Sequence, residues 1–170
     1  MFVVSVAVYV VIVVLVIAVV ERIGAPRALR AALAAHGVVP LRAAGLLAVV
    51  VTVVEAVLAV LLLVGPSPIV LSGAAVLFAA YGGYAWHVTA SGRGGPCGCG
   101  VVEMPMDHWV TGRAVALAVL AAAGAVAHDH VLPLTDFDSQ VLVVLLAATT
   151  IGVLLWHLPA AMTRPQEVAR

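Results

Sequence analysis

Residues 2–20 read FVVSVAVYVVIVVLVIAVV, 19 residues without one charged side chain. The hydrocarbon core of a bilayer is about 30 Å thick and takes about 20 helical residues to cross. Valine and isoleucine favour strands in water. In lipid, however, every backbone N–H and C=O must be satisfied within the protein, and a single spanning segment achieves this only as a helix. The stretch therefore predicts a membrane-spanning helix. No basic residue precedes it and it is longer than the apolar part of a secretory signal, so we expect it to be retained as a span.

Four more segments meet the same criterion: residues 43–64, 69–88, 110–127 and 141–158. The composition agrees. Of the 170 residues, 65% are hydrophobic and 9% charged, against roughly half and about a quarter in soluble domains. A soluble domain of this size has too little interior to hide that much apolar surface. The fold class expected is an all-α integral membrane protein, a bundle of about five transmembrane helices with a four-helix core plus one, forming a single domain over 1–170. The net charge is zero, which gives no reason to expect nucleic acid; the partner implied is membrane lipid.

The connections differ in character. Residues 21–42 are polar, and 26–36 within them read as a short surface helix. Gly65-Pro66-Ser67-Pro68 reads as a tight turn between two spans. Residues 89–109 are glycine-rich and hold both cysteines, and 128–140 are acidic. The chain has no lysine. With five spans, Arg22, Arg27, Arg30, Arg42, Arg93, Arg113, Arg164 and Arg170 all fall on or beside one face. Basic residues mark the cytoplasmic side. The expectation is a multi-pass plasma-membrane protein with its N-terminus outside, and its C-terminus and cysteine loop inside.

Cys97 and Cys99 lie in Gly94-Gly95-Pro96-Cys97-Gly98-Cys99-Gly100. A bond between thiols one residue apart closes almost no loop, so it is a poor staple. Tight disulfides are the exchangeable ones, and the flanking glycines give the backbone the freedom to close the ring. A redox pair is the first reading, a thiolate pair for Cu(I) the second, and inert cysteines the third. Glu55 lies near the middle of the 43–64 span, and an ionisable group at that depth marks function by default. It reads as a proton relay or polar site, or as a neutral carboxyl hydrogen-bonded to Thr52 or to another helix. His87, His108, Trp109 and Arg113 flank the cysteine loop in sequence. Arg113 stabilising a thiolate and either histidine moving its proton are the functional readings; interfacial anchoring is the alternative, and it also fits Tyr81, Tyr84 and Trp86. Ala114, Ala118, Ala122, Ala121, Ala125, Gly82 and Gly83 either set close helix approach or reflect composition. His128-Asp129-His130 is a weak metal signal that reads better as a solvated loop.

Five spans, a membrane glutamate in the second, and Cys97-Gly98-Cys99-Gly100 before the fourth resemble the methylamine utilisation protein family MauE, related to the DoxX-like redox-associated membrane proteins. Trp109 and Arg113 match the family pattern by type and spacing. Gly100 stands where that pattern has phenylalanine, and Ala114 where it has asparagine. The resemblance implies disulfide formation or electron transfer for partner proteins, beside a thioredoxin-like protein and for an exported substrate protein, within methylamine metabolism. The expected function is thus membrane thiol–disulfide exchange, as a thiol–disulfide oxidoreductase acting through Cys97 and Cys99 with Glu55, His87, His108 and Arg113 in support. For its cofactor, a quinone and none at all both remain open. Two non-enzymatic readings stand beside it: a copper-binding or assembly protein, and a small transporter centred on Glu55. The second is weakened because no intramembrane partner for Glu55 is visible in the sequence.

Overall fold

A computed structural model describes residues 1–93, 95–98, 106–133 and 138–162. Six α-helices account for most of them: α1 Phe2–Gly24, α2 Ala28–His36, α3 Leu41–Val64, α4 Pro68–Ala90, α5 His108–Val126 and α6 Ser139–Met162. All but α2 are long and apolar enough to cross a membrane, so the chain is an all-helical multi-pass membrane protein. A 3₁₀ turn, His128–His130, follows α5, where Asp129 lies at the surface.

The first helix is the axis of the bundle. More than half of its most apolar stretch is buried, against a third or less for the other four spans. It packs on α3, α5 and α6, while α4 and α5 form the most extensive pair. Val8, Val11, Val14, Leu15 and Ala18 of α1 meet Leu62, Leu71, Phe78, Leu117, Ala121, Val144 and Ala148 from its neighbours in one core. On α3, Val49, Val50, Val53, Val57 and Val60 point outward. An exposed apolar face of this extent suits lipid and not water.

Small residues set the closest approaches. A Cβ added to Gly124 of α5 would fall 2.6 Å from Val8, and one on Gly152 of α6 would fall 2.8 Å from Val13. Gly82 faces α5, with Val115 at 3.2 Å from its would-be Cβ, whereas Gly83 faces open space. Of the alanine stripe on α5, Ala114 and Ala121 are buried, Ala118 and Ala125 partly so, and Ala122 is exposed. Close packing thus accounts for part of the stripe only.

The helix ends sort into two layers. At the N-terminal layer, Tyr9 Oη donates to the Leu132 carbonyl at 2.6 Å and Ser5 Oγ accepts from the Leu132 amide at 2.9 Å. Ser67 caps α4 by accepting from the Val70 amide at 3.3 Å, with Pro68 opening the helix. The opposite layer gathers the ends of α1, α4 and α6, the starts of α3 and α5, the cysteine loop, and α2. Two helix ends differ from the sequence expectation in a way that matters. The first span does not stop at Val20 but continues as helix through Glu21 and Arg22 to Gly24. The last runs through Pro159 to Met162.

Candidate functional site

The short helix α2 is not merely a surface element. Its apolar face buries Ala32, Leu33 and His36, and Gly37 ends it in the left-handed conformation with φ 63°, a conformation glycine adopts without steric cost. That buried face carries the cysteine loop. Gly98 has φ 66°, and a Cβ there would fall 2.5 Å from Ala32 Cβ and 3.2 Å from Leu29 Cα. A Cβ on Gly95 would lie 2.9 Å from the His36 ring. The glycines of the motif are therefore contact surfaces for α2. The loop closes on itself where the Met106 amide donates to the Gly95 carbonyl at 2.8 Å.

Cys97 is 5% exposed and packs with Ala85, Val110 and Met106. It is disulfide-bonded, and no cysteine among the described residues is free. Cys99 lies outside the described residues. In the disulfide form Cys97 has no thiolate to offer a Cu(I) ion. No group of three or more metal-ligating side chains is assembled among the described residues.

Beneath this roof is a cavity of about 270 Å³ lined by residues of all six helices and by Cys97. Most of its wall is apolar, from Val14, Leu47, Leu77, Phe78 and Leu117. Its polar groups are few, and Arg22, Glu55 and Tyr81 form one cluster among them. Arg22 Nε lies 2.5 Å from Glu55 Oε2, and Arg22 Nη2 donates to Glu55 Oε1 at 3.0 Å. The Tyr81 hydroxyl donates to the same Oε1 at 2.5 Å and lies 3.4 Å from Arg22 Nη2. Glu55 is 1% exposed. Its partners correct one sequence expectation and decide another: an intramembrane base does face it, and of the two hydrogen-bonding arrangements expected it takes the one to other helices, Tyr81 on α4 and Arg22 on α1, while the Thr52 hydroxyl donates to the Ala48 carbonyl at 2.8 Å. Arg22 became available because α1 runs one turn further than its apolar stretch, and the buried stripe Val11, Leu15, Ala18 continues at helical spacing onto residue 22.

Arg113 is buried and lines the same cavity. It donates to the Trp156 carbonyl at 3.0 Å and lies over the Trp156 ring at 4.8 Å, a cation–π arrangement favoured by exclusion of water. His87 and His108 are both exposed, and neither lines the cavity. His108 pairs with Asp107, the cap of α5, and stacks beside Trp109. The structure thus brings Cys97, Glu55 and Arg113 together and leaves the two histidines outside.

The histidine it brings in is His36. Its Nδ1 lies 2.9 Å from the Tyr84 hydroxyl, and both residues line the cavity. Tyr81 and Tyr84, expected as interface anchors, are therefore site residues, while Trp86 is exposed. Burial pushes the His36 imidazole below its ordinary range, and the neighbouring Pro96 carbonyl offsets part of this. The docked state therefore holds His36 neutral, whereas a solvated His36 protonates near its ordinary value of about 6.5. Docking of α2 on the cysteine loop is then at full strength above that value and weakens as pH falls through it. We expect the Cys97 disulfide to be reduced several-fold faster by a phosphine reductant at about pH 5.5 than at about pH 7.5. His36→Gln, which keeps a partner for Tyr84 but does not titrate, should flatten this difference. An unchanged pH response in the variant would remove His36 from the account.

The sequence profile described as methylamine utilisation protein MauE matches residues 1–127, which cover α1 to α5 and the cysteine loop. No curated protein and no solved structure matches the chain.

Proposed function

Because the chain belongs to the MauE family of methylamine-utilisation-associated membrane proteins, we propose that it exchanges disulfides with partner proteins at the membrane through Cys97 and Cys99. The observation that carries this reading is the placement of a disulfide-bonded Cys97 in the wall of a buried cavity that also holds an Arg–Glu–Tyr cluster. A purely structural bond would tie distant parts of the chain together.

The exchange has two steps. A thiolate of a thioredoxin-like partner attacks the disulfide and forms a mixed disulfide; the partner's second thiol then displaces the chain's cysteine. The partner leaves with a new S–S bond, and Cys97 and Cys99 keep the two electrons and two protons as thiols. Run in reverse, the same steps reduce the partner. An exported protein would be the final beneficiary of the partner's bond. The α2 roof has a role here. A dithiol open to the cytosolic thiol pool would be held reduced, and the cover over Cys97 restricts that access.

Thiol-alkylation shifts on native membranes test the proposal. The pair should move between a blocked and an alkylatable form as oxidant or reductant is added. Thiols that stay alkylatable under oxidant would refute the exchange.

For orientation, the arginine distribution supports the N-terminus outside and the C-terminus and cysteine loop on the cytoplasmic side. A cytoplasm-active reporter fused after Arg170 should give signal, and the same reporter after Asp129 should give none. The opposite pattern would reverse the placement.

A further inference from the structure

We propose that the cavity is a quinone site, in which the head group of a membrane quinone lies against Cys97 and takes the two electrons of the reduced cysteine pair. The inference rests on the exchange reading above and supplies the electron acceptor that reading leaves open.

The location restricts the ligand first. All five spanning helices contribute to the wall. Ala80 both lines the cavity and is exposed on α4, a spanning helix. We place the entrance for a lipid-soluble molecule at this residue, where one small side chain lies between the cavity and the outer face of α4. Its volume of about 270 Å³ lies close to the lower end of the roughly 300–1,000 Å³ usual for small-molecule sites. That is room for a ring-sized head group, with any tail left in lipid.

The polar end restricts it further. Arg22 Nη1 is buried and has no hydrogen-bond partner, while Nε and Nη2 are engaged with Glu55 and Tyr81. A buried N–H without an acceptor is costly, so a ligand that brings one is favoured. The Arg22 charge is already matched by Glu55, so a neutral carbonyl oxygen satisfies Nη1 without adding charge to that pair. The cavity also holds the Arg113 cation, which donates to the neutral Trp156 carbonyl, and the oleate arm of the test below separates an anionic from a neutral ligand. The walls beside it are aromatic, with Phe78, Tyr81, Tyr84 and Trp156, and suit a planar ring.

The redox partner selects among neutral carbonyl compounds. Oxidising the reduced pair forms the S–S bond and releases two electrons and two protons. A quinone accepts both, one proton at each oxygen, and leaves as the quinol. A single-electron acceptor would strand a thiyl radical.

The test separates binding from exchange. The Cys97→Ser/Cys99→Ser chain in phosphatidylcholine nanodiscs is titrated with a short-chain ubiquinone while tryptophan fluorescence is followed. Trp156 lines the cavity, so quenching should saturate, and Trp156→Phe should remove the saturable part. Ala80→Phe, at an exposed position, should weaken binding at least tenfold by blocking the opening. The Arg22→Gln/Glu55→Gln pair, which stays neutral, should weaken it comparably. In the anaerobic, pre-reduced wild type, ubiquinone should yield one quinol per chain as the thiols become unalkylatable. Quenching that never saturates, or that Ala80→Phe leaves unchanged, overturns the proposal, as does saturable binding without quinol. Oleate binding in place of ubiquinone would reassign the cavity to a lipid anion. Saturable ubiquinone binding in a wild type that reacts with no protein thiol would sink the exchange reading while the site stands. Exchange that persists with no binding sinks this inference alone.

Discussion

Glu55→Gln should destabilise the folded chain severely, while Arg22→Gln should cost much less. Glutamine keeps the shape of Glu55 and can still accept from Tyr81, but it removes the negative charge 2.5 Å from Arg22 Nε. Arginine cannot shed its proton, so the variant strands a buried cation. Losing one member of a buried pair costs about 3–5 kcal/mol. In Arg22→Gln the stranded group is a carboxyl, which can take up a proton, become neutral and keep its bond to Tyr81. The double variant has no charge to strand and should recover most of the loss. Thermal midpoints of aggregation in detergent measure all three. Equal stability of Glu55→Gln and wild type, or a double variant worse than Glu55→Gln, would show that the pair does not hold α1 to α3. The same ordering bears on chemistry: a loss of exchange in Glu55→Gln reports on a relay only in preparations that remain folded.

The contrast between Glu55 and Arg22 shows where the sequence is informative. Glu55 stands out because it interrupts an apolar run, and the five spans stand out because lipid demands such runs. Arg22 is masked by the same logic: a charge just past an apolar stretch reads as the end of a span and as a topology marker. Its inward turn is a matter of helical phase. Val11, Leu15 and Ala18 lie on one buried stripe, and Arg22 continues that stripe into the cavity wall. Phase was also the available signal for the tyrosines. Phe78, Tyr81 and Ala85 recur three and four apart on α4, with Tyr84 beside them, and Phe78 and Ala85 are buried. Aromatic residues near a span end fit the interface equally well by composition, so position along the helix misleads where rotation about it does not. His36 depended on tertiary structure altogether. Its place on the buried face of α2 follows from the spacing Ala32, Leu33, His36, but its meeting with Tyr84 and the Gly95 backbone joins segments far apart in sequence. Conversely, His87 and His108 were nearest the cysteines along the chain and lie outside the cavity.

Single cysteine variants should abolish exchange completely, the largest functional effect expected. With one thiol left, the chain can neither form nor donate the bond. It can still form a mixed disulfide, and it has no neighbour to resolve it. The shielding of Cys97 by α2 makes the two positions unequal. Cys97 is 5% exposed and packed on Ala85 and Val110, so in Cys99→Ser the remaining thiol sits under the roof and should trap a partner slowly. Loosening the α2 contact should speed that capture.

The most direct measurement is recovery of the covalent partner. Membranes carrying Cys97→Ser or Cys99→Ser are quenched with acid, alkylated and run without reductant, and the shifted band is identified by mass spectrometry. A reductant-sensitive adduct with a thioredoxin-like protein is expected in at least one of the two variants, and none in Cys97→Ser/Cys99→Ser. No adduct in either single variant, with both thiols free in the wild type under oxidant, would rule out exchange through this pair.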